Sequence, residues 1–209
     1  MAPIVGDPGP ARRAPAPGAL AAVQAFINSA DLESGDEELA DPDRLRAWLA
    51  GRELMREDEP LSEATLERAL EVREALRELA EANNGHPLDP AALETLNRAA
   101  DDARLVVRFD RDGLPRLEPD APGADGALGR LLAAVFAATA DGTWARLKAC
   151  RNHTCRWAFY DTSRNHSSRW CTMAACGNRL KGRAFRARRR AVGATISKSG
   201  GEDRTRGAR

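Results

Sequence analysis

From Leu20 onward the apolar residues recur at a helical period. Leu20, Val23, Phe26, Ile27 and Ala30 fall on one stripe. Asp41-Pro42 then supplies an N-cap and a first-turn proline for a helix carrying Leu45, Trp48 and Leu49. Ser62 caps a long helix to about Asn84, with Leu66, Leu70, Leu76 and Ala80 on one stripe, and Asn83-Asn84-Gly85 ends it. Asp89-Pro90 starts another helix, through Leu93 and Leu96. The period then drops to two. Leu105, Val107 and Phe109 alternate, Asp112-Gly113 turns, and Leu114 to Leu117 return as the second strand of a hairpin. Pro115 confines that return to an edge. After a loop over 119–126, Leu128, Leu131, Leu132, Val135, Phe136 and Thr139 form the stripe of an amphipathic helix.

The pattern predicts an α+β fold, mainly α: a helical N-terminal domain over 19–142 with one β-hairpin, and a separate C-terminal module. Residues 1–18 alternate Pro, Gly and Ala and are expected to be a disordered leader, and 193–209 a disordered tail of Gly, Ser, Thr and charge. Arg73 breaks the helical pattern, because it sits on the apolar stripe between Leu66 and Leu76. A guanidinium there needs a partner, since a lone buried charge costs several kcal/mol. An internal ion pair or a snorkelling side chain accounts for it; the sharper alternative is an anion-binding group in a small ligand pocket.

Composition narrows the functional classes. The chain of 209 residues holds one ordinary domain plus a small one. No window approaches the roughly 18 consecutive apolar residues of a membrane span, and Met1 to Gly18 lacks the apolar core of a signal peptide. The expectation is a cytoplasmic protein without a membrane partner. Reduced thiols in that compartment suit metal or redox chemistry better than a disulfide framework.

The net charge of +1 hides a division. Residues 143–209 carry 17 Lys and Arg against Asp161, Glu202 and Asp203, a balance of +14. Residues 1–142 carry 15 basic and 28 acidic groups, a balance of −13. An acidic body joined to a basic end is the asymmetry expected where one end meets a polyanion. The two halves can also attract each other.

All four cysteines lie in the basic end, as Cys150-x4-Cys155, fifteen residues, then Cys171-x4-Cys176. Two pairs separated by a hairpin-sized stretch meet the needs of one tetrahedral structural Zn2+, each pair clasping one side of the ion. A pair of redox-active disulfides is the alternative. His153 and His166 are substitute ligands, but four thiolates already close the shell and leave no position for water. The module over 143–192 has few large apolar groups (Trp157, Phe159, Trp170 and Phe185), so zinc is expected to supply most of its folding energy. Trp157 to Tyr160 reads as a strand, Asp161-Thr162-Ser163 as a turn, Ser167 to Trp170 as a return strand, and a helix is expected to open near Gly177-Asn178. Knuckle, hairpin and helix make a treble-clef-like arrangement. On that helix Arg179, Arg183, Arg186 and Arg190 share one face, widened by Lys181, Arg188 and Arg189, and no acid occurs between Asp161 and Glu202. An unrelieved arginine stripe repels itself unless something anionic lies against it. Arginine also pairs bidentately with phosphate and guanine edges.

These residues resemble a known family. Cys150 and Cys155, the run Trp157 to Asn165, Arg169 to Cys171 and the run Cys176-Gly177-Asn178-Arg179 are similar to the CGNR zinc finger. Phe26 to Ser29 and Arg73-Glu74-Ala75-Leu76-Arg77 resemble, less closely, the ABATE domain that usually precedes this finger, with Ser29 where threonine is usual. The resemblance implies a stress-induced bacterial transcription regulator whose finger binds DNA and whose helical domain senses a signal.

Three functions follow. In the first, a DNA-binding regulator, Arg183, Arg186 and Arg190 neutralise phosphates, with Lys181, Arg164 and Arg169 as further contacts. Asn178 or Arg179 at the helix start reaches base edges, or both are structural, with Arg179 paired to Asp161. Duplex DNA is the expected partner, a small-molecule effector fits the helical domain, and a homodimer follows because one finger reads few base pairs. The alternative is an RNA-binding or ribosome-associated zinc protein, with Trp157, Tyr160 and Trp170 stacking unpaired bases. An enzyme is the third and is not expected, since no carboxylate pair, nucleophile–base set or phosphate loop occurs at usable spacing.

Overall fold

Three helices start where a short polar side chain folds back onto its own first turn. The computed structural model describes residues 13–178. Asp41 accepts from the Arg44 N–H at 2.8 Å and opens α2 (Pro42–Ala50). Ser62 accepts from the Thr65 N–H at 3.2 Å and opens α3 (Glu63–Ala82), and Asp89 accepts from Ala91 at 3.0 Å before α4 (Pro90–Asp102). Each bond satisfies an amide that a helix N-terminus leaves unpaired. Preceding them, α1 (Leu20–Ile27) buries Leu20, Val23, Phe26 and Ile27. Past the end of α3, Gly85 adopts φ +84°, a left-handed conformation in which glycine meets no Cβ clash.

The long α3 is the hub. It packs against α1, α2 and α4, and against α5 (Gly123–Ala140). Leu66, Ala69, Val72, Leu76 and Ala80 of α3 join Phe26, Leu45, Leu49 and Leu131 in one buried cluster. Phe26 and Trp48 meet with ring centroids 5.4 Å apart. The same cluster extends to Trp144, Leu147, Ala149, Ala158 and Tyr160, so the stretch before and after the first cysteine pair shares the core of the helical body. Burial of these groups gives the segment apolar support beside the metal that is expected to supply most of the module's folding energy.

Helix α5 differs in one respect from its sequence pattern. It begins at Gly123, ahead of Leu128, and buries Ala124, Ala127, Leu128, Leu131, Ala134 and Ala138. Phe136, expected on the buried stripe, is 59% exposed. Close packing accounts for the rotation: a Cβ on Gly129 would lie 2.6 Å from Ala103 Cβ and 2.8 Å from Pro119 Cβ. The tight approach at Gly129 sets which face of α5 turns inward, with Leu128 and Leu131 buried and Phe136 left outside.

The described strands form three two-stranded antiparallel sheets. The short pair β1 (Ala30–Asp31) and β2 (Asp36–Glu37) follows α1. The predicted hairpin is β3 (Leu105–Phe109) with β4 (Pro115–Pro119), Val107 opposite Leu117, and Gly113 turning at φ +76°. The third pair corrects the module's expected hairpin. Strand β6 (Ala158–Tyr160) pairs with β5 (Leu147–Ala149), ahead of the first cysteine, and not with Ser167 to Trp170. A second correction concerns the leader. Residues 13–18, expected to be disordered, include a buried Ala16 whose N–H donates to Gln24 Oε1 at 2.7 Å. The residues divide into two units, one up to Cys171 and one from Thr172, the latter described as a π-helical turn over Met173–Gly177 closed by the Gly177 N–H on Thr172 O at 3.1 Å. No helix among the described residues is long and apolar enough to cross a membrane.

Candidate metal centre

The first cysteine pair sits in the loop of the β5–β6 hairpin. Cys150 donates its N–H to Trp157 O at 3.0 Å, continuing the ladder past Ala149. Between them the chain folds over Asn152, whose carbonyl accepts from Cys155 at 2.8 Å and Arg156 at 2.9 Å. Arg156 takes φ +46°, which returns the chain to β6. Cys171 follows a loop joined to this one by the Arg151 N–H on Arg169 O at 3.0 Å.

The four cysteines converge. Their sulfur atoms all lie within 4.8 Å of one another, and Cys150, Cys155 and Cys176 are buried. None is disulfide-bonded, and Cys155 and Cys171 stand 3.7 Å apart between sulfurs. A tetrahedron of thiolates around zinc, with bonds of about 2.3 Å, has edges of about 3.8 Å. The donor set and this spacing fit Zn2+. Cys150, Cys155, Cys171 and Cys176 would hold the ion, which would crosslink the loops and stabilise thiolates without offering an open coordination position. Hydrogen bonds with Cys155 and Cys171 push the Cys150 thiol down, and the same crowding pushes the Cys155 thiol up. His153 and His166 are exposed and stand outside the cysteine set.

Asp161 organises the loop between the cysteine pairs. It is fully buried, and its carboxylate accepts from Lys148 Nζ at 2.9 Å, from the Ser163 N–H at 3.0 Å and from the Ser168 N–H at 2.9 Å. Burial alone would raise its pKa, but donors from Ser163, Lys148 and Ser168 hold it well below the usual carboxylate range. Arg13 adds a bond at 3.4 Å, donates to Cys171 O at 3.2 Å and lies over the Phe159 ring. The partner sought for Asp161 in Arg179 is supplied here by Lys148 and Arg13. Arg179 itself, with Lys181, Arg183, Arg186 and Arg190, lies outside the described residues. Arg164, Arg169 and Asn178 are exposed, and neither arginine has an ion pair among the described residues. Tyr160 is buried in the core and Trp157 and Trp170 are half-buried, which favours packing over base stacking.

Arg73 is held inside the body. It pairs with Glu37 at 2.7 Å and Glu74 at 3.0 Å and donates to Ser29 Oγ at 3.2 Å. It does not line the open cavity of about 500 Å³ bounded by Leu54, Met55, Arg56 and Arg130. Arg77, which sequence reasoning missed, is 0% exposed; it bonds Glu74 and donates to Ile27 O at 2.6 Å and Arg156 O at 3.2 Å. Burial opposes ionisation of Glu74, yet Arg77 and Arg73 keep its carboxyl below the ordinary value. The two runs that suggested the helical domain, Phe26 to Ser29 and Arg73 to Arg77, thus touch each other.

Family models match in the expected order. Residues 146–189 match the CGNR zinc finger, and residues 20–143 match ABATE, described as "Putative stress-induced transcription regulator". No curated protein matches the chain. With more than half of its length inside the ABATE match, the chain belongs to the ABATE family, and a CGNR zinc finger match follows directly after that domain.

Proposed function

We propose that this protein is a transcription regulator that binds duplex DNA through its zinc finger, with the helical body as sensor and dimerisation unit. The observation that carries the reading is the basic run from Arg164 to Arg190, which contains no acid and runs through and beyond the second pair of four convergent cysteines. Exposed Arg164 and Arg169, without an ion pair among the described residues, extend that charge into the loop beside the cysteines. On this reading the arginines from 183 to 190 supply phosphate contacts, and Asn178 and Arg179 in the Cys-Gly-Asn-Arg run serve either base edges or the finger's own backbone. Four thiolates that fill the coordination shell support binding rather than catalysis. Exposed Val107, Phe109 and Leu114 on the β3–β4 hairpin support self-association of the body.

Selection of duplex DNA from a random pool by the zinc-loaded chain tests the reading. One enriched motif, lost on chelation or in Cys171→Ser, is the expected result, with a log–log salt slope of about −4.5 for five neutralised phosphates. Binding to any polyanion without enrichment, or preference for single strands, would move the function to RNA. A chain that stays monomeric both free and on DNA would remove the dimer.

A further inference from the structure

Three groups of the helical body end on the peptide segments that carry the cysteines. The buried side-chain amide of Asn84, just beyond α3, donates to Ala149 O at 2.7 Å and to Arg169 O at 3.0 Å. Ala149 directly precedes Cys150, and Arg169 lies two before Cys171, so one amide spans both halves of the site. The Asn84 carbonyl in turn accepts from Arg151 at 2.8 and 2.6 Å. Gly85 leaves the guanidinium its place, since a Cβ there would lie 2.7 Å from Arg151 Nη2.

Asn28, after α1, treats Ala158 as a neighbouring strand would. Its Oδ1 accepts from the Ala158 N–H at 2.7 Å and its Nδ2 donates to Ala158 O at 2.8 Å. That residue opens β6, three positions beyond Cys155. Finally, Arg156, which follows Cys155, forms ion pairs with Glu78 and Glu81 of α3 while Arg77 holds its carbonyl.

We infer that the helical body is the template of the metal site: Asn84 and Asn28 are positioning residues that fix the backbone of Cys150, Cys155 and Cys171 before zinc arrives. The inference rests on reading the cysteine cluster as a zinc site. Thiolates must stand about 3.8 Å apart around the ion, and ordering free loops to that tolerance costs conformational entropy. A template meets that cost in advance, so the metal binds more tightly. Linkage makes the effect mutual, and zinc stabilises the body through the same contacts.

The test uses the full chain with Asn84→Ala and Asn28→Ala, and Glu94→Gln on the exposed face of α4 as control. Zinc affinity is measured by competition with a chromogenic chelator, and Co2+ replaces zinc to report ligand geometry through its visible absorption bands. Asn84→Ala is expected to weaken zinc on the order of 10–100-fold and to shift the cobalt bands, with helical circular dichroism retained. Asn28→Ala acts in the same direction, and serves alone if Asn84→Ala does not fold. Affinity and cobalt spectra equal to the unsubstituted chain in a folded variant overturn the inference and leave the zinc reading intact. Failure of the unsubstituted chain to take up zinc overturns both.

Discussion

The helical body and the cysteine-bearing segment up to Cys171 are built by opposite means. In the body, caps act within three residues of themselves and apolar stripes meet in a core, so most of its stabilisation comes from surface removed from water. The segment after Trp144 has strands of three residues and relies on buried polar groups: Asp161 with Lys148, Asn84 on two carbonyls, Arg156 between two glutamates. Apolar packing tolerates small shifts, whereas a buried charge or amide that loses its partner is left desolvated. The first region is therefore robust and the second is exacting, and a shared core joins them.

Removing zinc from the second region is the largest perturbation of that contrast. Cys155→Ser should abolish stoichiometric zinc, a binding free energy of about 10–16 kcal/mol in small zinc modules, while the body keeps its helical signal and melts at a lower temperature. Elemental analysis and thermal melts check both halves of the statement. Asp161→Asn comes next. It leaves Lys148 buried without its counter-charge and should cost about 3–5 kcal/mol in urea unfolding. Because the carboxyl titrates below its ordinary value, its contribution is complete above about pH 4 and is lost only as pH falls through the depressed value. The gap between the two chains should stay flat from about pH 5 upward and narrow below about pH 4.

Leu147→Ala probes the shared core from the segment's side. Leu147 is 0% exposed, as is Leu76 of α3, and each truncation should cost about 2–5 kcal/mol. If the two regions share one core, Leu147→Ala lowers the unfolding midpoint of the body's helices much as Leu76→Ala does. A body that melts unchanged would separate them. The smallest effect belongs to the body alone: Ser62→Ala should cost about 1 kcal/mol and leave zinc affinity where it was.

What was legible follows the same division. Asp41-Pro42, Ser62 and Asp89-Pro90 announce their helices because a cap needs only its own first turn. The cysteine spacing announced the metal site because ligand type and count are written in the chain. Asn84 read only as part of a helix stop, since its role lies in carbonyls 65 and 85 positions away. The partner of β6 was misassigned for a related reason: β5 and the stretch from Ser167 are both near in sequence, and pairing depends on the core beneath. Phe136 fell on a clear apolar stripe, but the inward face of α5 is chosen by the close approach at Gly129, which no periodicity records.

The clamp between Asn28 and Ala158 bridges 130 residues. At a synthesis rate of about 5–20 residues per second, the ribosome needs roughly 7–26 s to deliver the second half of that bond after the first has emerged. During that interval α1 and α3 can assemble, but the side-chain amides of Asn28 and Asn84 and the Nη1 group of Arg77 must be served by water. The nascent body therefore carries a wet polar seam that closes only when the last third of the chain arrives, and a chain truncated before β6 keeps it open.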